Sequence, residues 1–186
     1  PTRRSSDLLN NNNLYYGLGY LNTKLATYIL YCLNPTVNTT EGDLQKLPYI
    51  IPNHTLVELI EKLVKKNIEL SNYGLNKKII NKEFVNYLNS GNYPFKDKIL
   101  KTLNVENKNI AFSICIEAIL NDLFYQIFDL CNSDINQIET KMGKSIGSLP
   151  VLEVAKKEFL DGLENLMQEV VDYIQGLEST TFEDNF

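Results

Sequence analysis

A chain of 186 residues, 44% hydrophobic and 22% charged, has enough apolar material to bury a core in one or two small domains, which argues against wholesale disorder. Cys32, Cys115 and Cys131 are widely spaced with no Cys-x-x-Cys, and His54 is the lone histidine. Those counts leave little material for a zinc cluster, a disulfide framework or a histidine-based triad, and they fit buried thiols in a reducing cytosol. The net charge of −5 is uneven: residues 62–108 carry +6, residues 109–186 carry −10, and residues 1–61 carry −1. A basic middle suits phosphate and an acidic end suits solvent or protein, although solvated helix faces give the same totals.

In chain order, "PTRRSSDL" is similar to the translated remnant of a sequencing adapter, so residues 1–9 are set aside as a non-native leader. The remainder is then expected to be a piece of a longer protein. Leu18, Leu21, Leu25, Tyr28, Ile29 and Cys32 recur at helical spacing and predict a helix over 18–33, stopped by Pro35. "NTTEGD" is turn chemistry, and "LPYII" predicts a short extended segment near 47–51. Thr55, with Glu58 three residues on, predicts a capping box opening a helix along Leu56, Leu59, Ile60, Leu63, Val64 and Ile68. Short helices are expected over 81–89 and 95–104, punctuated by Gly91 and Pro94. Residues 110–131 predict one buried helix. Its polar residues, among them Glu117, Asp122 and Asp129, argue against a membrane span of about 20 apolar residues. Ser133 is expected to cap a helix carrying Ile135, Ile138 and Met142. Leu152, Ala155, Phe159, Leu163, Leu166, Val170 and Ile174 step by three and four, predicting one long amphipathic helix ending near Gly176. The expected fold is mainly α, a helical bundle-like piece divided into regions 14–75 and 76–186.

Two motifs suggest catalysis and neither carries it. Asn34-Pro35 begins like the Asn-Pro-Pro-Tyr loop that holds a flipped adenine, but Thr36-Val37 follow, without the second proline or the stacking ring. "YGLGYL" at 16–21 has glycines like a cofactor loop, yet no strand precedes it and no ribose-binding acid follows. Lys65, Lys66, Lys77, Lys78 and Lys82, with Lys96, Lys98 and Lys101, are candidates for phosphate contact, on equal terms with a solvated face. Asn38, Thr39 and Thr40 offer amides and hydroxyls to phosphates or base edges; closing their own turn is the stronger reading. His54 reads as a surface loop residue. Tyr15, Tyr16 and Tyr20 could stack on bases, with packing the stronger reading. Residues 115–142 have a helix-turn-helix outline, but the second helix carries Asp134 and Glu139 where a recognition helix prefers Lys or Arg. A packed helical hairpin is expected there.

"LGYLNTKLATYILYCLNPTVNTTEGDLQKLPYI" at 18–50 resembles a segment of large adenine-specific DNA methyltransferases, roughly LGxLNSKxxxxxLxxLNPTxNxxxGDIxxLP. The pattern matches the PglX-like enzymes of BREX phage defence, to which type II restriction–modification methylases are related. Asn22, Lys24, Asn34, Pro35, Gly42, Asp43 and Pro48 carry the match, with Gly19 and Thr36; Thr23 stands where Ser is usual. A looser match runs over 120–150. The resemblance implies the target-recognition and C-terminal helical part of such an enzyme, after its catalytic domain. It implies no catalytic residue, metal or cofactor in this fragment, and S-adenosylmethionine for the parent, which would methylate an adenine amine. The implied partners are double-stranded DNA, the missing catalytic domain of the same chain and other defence-system proteins, in the cytoplasm and away from membranes. A non-catalytic helical interaction module and a type I restriction specificity fragment are the alternatives.

Overall fold

The computed structural model describes residues 14–36, 38–75, 94–162 and 166–181. It is mainly α, as expected. Among these residues there are α1 (Leu14–Leu21), α2 (Lys24–Leu33), α3 (Glu41–Leu44), α4 (His54–Leu75), α5 (Phe95–Ile127), α6 (Asn132–Met142), α7 (Glu153–Asp161) and α8 (Gln168–Gly176). Two-residue strands β1 (Val151–Leu152) and β2 (Ser179–Thr180) pair in parallel, Val151 with Ser179 and Leu152 with Thr180. The chain forms two compact units, one of residues 1–65 and 117–146, the other of residues 66–116 and 147–186.

In the first unit the core is aromatic. Tyr16 and Tyr20 of α1 are 1% and 2% exposed, and each ring centroid lies 5.3 Å from that of Phe124 on α5. Phe128 stacks on Tyr20 at 5.3 Å, and Tyr49 meets Tyr16 edge-on at 5.6 Å. Ile60, Leu63, Val64, Leu25, Ala26, Ala118 and Ile138 complete it. The Tyr16 hydroxyl donates to the Ile50 carbonyl, which anchors the segment near 47–51. That segment is neither helix nor strand.

The predicted helix over 18–33 is two helices. Thr23 is buried, and its hydroxyl accepts from the Ala26 amide at 3.2 Å, capping a fresh start. The Asn121 side chain on α5 accepts from the Lys24 amide at 2.8 Å. Two of the orphan donors at the start of α2 are thereby satisfied. Leu18 and Leu21, expected on the apolar face, are exposed. The α4 helix starts two residues earlier than predicted, because Asn53 rather than Thr55 caps it, accepting from the Leu56 amide at 3.0 Å. His54 is therefore helical, not loop, and its Nδ1 lies 3.3 Å from Glu58.

The helices expected at 95–104 and 110–131 are one helix, α5. It ends at Ile127 because Asp129 turns left-handed (φ 50°). Bonds from Leu130 N to Tyr125 O and from Asp129 N to Gln126 O, both 3.0 Å, close a Schellman motif. An aspartate tolerates the position usually held by glycine. By length and composition α5 passes the test for crossing a membrane. Core helices pass it too, and Ile116, Ala118 and Phe124 are fully buried. Cys131, not Ser133, precedes α6, and Asp134 accepts its amide proton at 3.2 Å.

The second unit buries Phe112, Cys115 and Ile116 with Val170 and Ile174 of α8. The long helix predicted from 152 to 176 is broken here. Gly162 stands at the end of α7, and Met167 is extended (φ −68°, ψ 137°) before α8 restarts. Lys108 Nζ donates to the Gly162 carbonyl at 3.1 Å, and Lys156 Nζ donates to Gln175 and Leu177 carbonyls at 2.8 and 2.9 Å. Both ammonium groups thus sit at helix C-termini, where the macrodipole favours them. Burial raises the Cys115 thiol to about 11. Cys32 and Cys131 are exposed, contrary to the expectation of buried thiols. The helix expected at 81–89 lies outside the described residues.

Candidate nucleic-acid interface

The turn after α2 is closed by its own side chains. The Asn34 amide donates to the Asn38 carbonyl at 3.1 Å and to Asp43 Oδ2 at 2.9 Å, while its oxygen accepts from Thr36 N and Oγ1. The Thr40 amide and hydroxyl donate to Asp43 Oδ2 at 3.0 and 2.8 Å, and Thr40 Oγ1 accepts from the Asp43 amide. This is a capping box at the head of α3. The Asn34 bond is the largest cause holding the Asp43 carboxyl down at about 2, followed by the two bonds from Thr40. Gly42 and Pro48 are exposed. Of the three turn residues proposed to meet DNA, Asn38 and Thr39 are exposed, and the Thr40 hydroxyl is engaged with Asp43.

The glycines of "YGLGYL" lie inside α1 and make no loop. Gly19 faces α4: a Cβ there would stand 2.9 Å from Val64 Cγ2 and 3.2 Å from Ile60 Cγ2. Asn22 turns back onto the Leu18 carbonyl at 2.9 Å. Lys24 Nζ reaches the Met142 carbonyl at 3.2 Å, at the C-terminus of α6.

The lysines divide. Lys65 pairs with Glu61 at 3.4 Å and lies 4.6 Å over the Tyr15 ring, whereas Lys66 pairs with Glu69 at 3.2 Å and sits over Phe112. Exposed pairs of this kind are worth about 0–1 kcal/mol, so they compete weakly with a phosphate. Lys77, Lys78 and Lys82 lie outside the described residues. Tyr16 and Tyr20, being core, present no ring face to a base.

A groove absent from the sequence reading lies between α2 and α6. Tyr28, Tyr31 and Cys32 line one side and Ser133, Asn136, Gln137, Thr140 and Lys141 the other. Lys141 Nζ stands 4.5 Å over the Tyr31 ring, and its hydrogen bond to Tyr31 raises the ammonium pKa. Neither of the acids that argued against a DNA-facing α6 lines this groove. Asp134 bonds the Cys131 amide and thiol. Glu139 is half-buried near Asp122 and Tyr125 of α5. Burial first and Glu139 second raise both of those groups, Tyr125 to about 12. The signal was in the sequence: Ser133, Asn136, Gln137 and Thr140 follow helical spacing opposite Ile135 and Ile138.

The sequence is related to that of an adenine-specific methyltransferase. The relative is the adenine-specific methyltransferase BrxX of Escherichia coli O9:H4 (strain HS), 34% identical over 109 residues, which cover 53% of this chain and 9% of BrxX. The chain thus spans under a tenth of the length of the curated relative it matches. No protein-family model matches the chain, and no solved structure does.

Proposed function

We propose that this chain belongs to the DNA target-recognition and C-terminal helical part of an adenine-specific DNA methyltransferase, in a restriction–modification or phage-defence system of the cytoplasm. The observation that carries the reading is the BrxX match, which occupies a small share of that enzyme. The motif at 18–50 and the lack of a base-gripping loop agree with it. On this reading the catalytic domain of the same protein holds S-adenosylmethionine and the flipped adenine, while this region helps to seat double-stranded DNA. Other proteins of the defence system are further candidate partners.

A salt titration of duplex affinity tests the proposal. Each neutralised phosphate contributes a log–log slope of about −0.9. Changing Lys77, Lys78 and Lys82 together to Gln is expected to weaken binding and flatten the slope by up to about 3 units. The chain alone is expected to transfer no methyl group from labelled S-adenosylmethionine to DNA. Absence of any duplex affinity would favour a protein-docking module instead.

A further inference from the structure

The outward face of α6 is a row of exposed polar side chains. Asn136 and Gln137 are exposed, and no hydrogen bond engages either side-chain amide among the described residues. Ser133 lies one turn before them and Thr140 one turn after, both exposed. Tyr31 borders this row from α2, 41% exposed, with Lys141 over its ring. The helix is firmly held from behind. Ile138 is 3% exposed, and Lys24 Nζ bonds the carbonyl of Met142. Such a face is polar and held from behind; of its two acids, the exposed Asp134 accepts from the Cys131 amide and thiol, and Glu139 is half-buried.

We propose that α6 is a base-reading helix, with Asn136 and Gln137 pairing with adenine edges in the major groove of duplex DNA. The inference rests on the DNA-recognition reading above and adds the element and the base. A carboxamide presents one donor and one acceptor, which matches adenine N7 and its N6 amino group; guanine presents two acceptors there and is better served by Arg or Lys. From Ser133 to Thr140 the helix rises by about 10 Å at 1.5 Å per residue, which covers about three base-pair steps of 3.4 Å. Lys141 beside the row suits a flanking phosphate. An ordinary helix-turn-helix places its reading residues on the N-terminal part of the second helix, and here Asn136 and Gln137 are the fifth and sixth of the 11 residues of α6.

The experiment selects bound duplexes from a randomised pool with the whole chain, and again with N136A/Q137A. The wild type is expected to enrich a short word containing adenine. The double variant should lose about 5- to 150-fold of its adenine preference at one or two positions, the range for one bidentate pair. Its residual affinity should keep the same salt slope. K141Q should keep the word and flatten the slope by about 1 unit. Both variants change exposed side chains, and circular dichroism checks that they fold. The same enriched word in wild type and double variant would overturn the proposal while leaving DNA recognition standing. No enrichment and no duplex affinity would overturn both. Equal loss on single-stranded DNA would point to stacking on Tyr31 and would also overturn major-groove readout.

Discussion

Gly19→Ala tests whether the shared motif is scaffold. In the interior of a helix this substitution ordinarily stabilises by about 1 kcal/mol, because glycine has more backbone freedom to lose. At Gly19 the new methyl would stand 2.9 Å from Val64 Cγ2, 3.2 Å from Ile60 Cγ2 and 3.8 Å from Phe124 Cε2. The first two distances lie inside ordinary contact, and both neighbours are fixed at χ1 by β-branching within a helix. Overpacking of a tight core costs about 1–3 kcal/mol. The net expectation is a loss of about 1 kcal/mol, which lowers the melting temperature by about 2–4 °C for a chain of this length. Gly74→Ala supplies the comparison, because nothing lies within 4 Å of a Cβ at that position in α4. It should hold or raise the melting temperature. Thermal melts followed at 222 nm, with urea titrations for the free-energy difference, give the answer. V64A in the Gly19→Ala background should show coupling of about 0.5 kcal/mol or more, since the smaller side chain makes room for the methyl. If Gly19→Ala stabilises as much as Gly74→Ala, the close approach of α1 and α4 is not what requires glycine.

The pH dependence of stability tests the Asn34–Thr40–Asp43 turn. The folded carboxyl is held at about 2, below the 3.8 of a free aspartate. Its contribution is therefore complete above the unfolded value and is lost as pH falls through about 4 towards 2. The difference in melting temperature between wild type and Asp43→Asn should be full at pH 5 and close by pH 2; a constant difference would refute the assignment. Lys156→Met removes the ammonium from the Gln175 and Leu177 carbonyls. It should cost about 0.3–1 kcal/mol of stability, read by urea titration, with no change in the salt slope of DNA binding.

The mainly helical fold was legible because apolar spacing is a direct signal of a buried stripe. The breaks were less legible, because they depend on which polar side chain captures a free amide. Periodicity ran unbroken through Asn22 and Thr23, yet the Thr23 hydroxyl and Asn121, almost a hundred residues away, make a second helix start favourable. Gly162 likewise sits within an unbroken apolar pattern but ends α7. At α5 the error ran the other way, since residues 105–109 lack a strong apolar stripe but continue the helix. Charge counting along α6 hid its outward face. Asp134 and Glu139 lowered the expectation of a DNA surface, but Asp134 turns back onto Cys131 at the start of the helix and Glu139 is half-buried near Asp122 and Tyr125. The exposure of Cys32 and Cys131 was missed for a similar reason, as thiol composition says nothing of which side of a helix faces out.

A side chain engaged by its own fold is poorly placed to read a base. To meet DNA with its amide, Asn34 would have to release Asp43 and the Asn38 carbonyl, opening the turn that starts α3. Lys24 would have to leave the end of α6, and Gly19 has no side chain to offer. These residues belong to the segment that resembles adenine methyltransferases, so the resemblance marks a common scaffold before it marks a common DNA sequence. Enzymes sharing this scaffold and differing in target would need their differences on side chains that the scaffold positions but does not use. Asn136 and Gln137 meet that description: α6 is pinned through Lys24 and Ile138, while their own amides have no hydrogen-bond partner among the described residues. Substitution there should alter sequence preference with little loss of stability, whereas substitution at Asn34 or Gly19 should alter stability first.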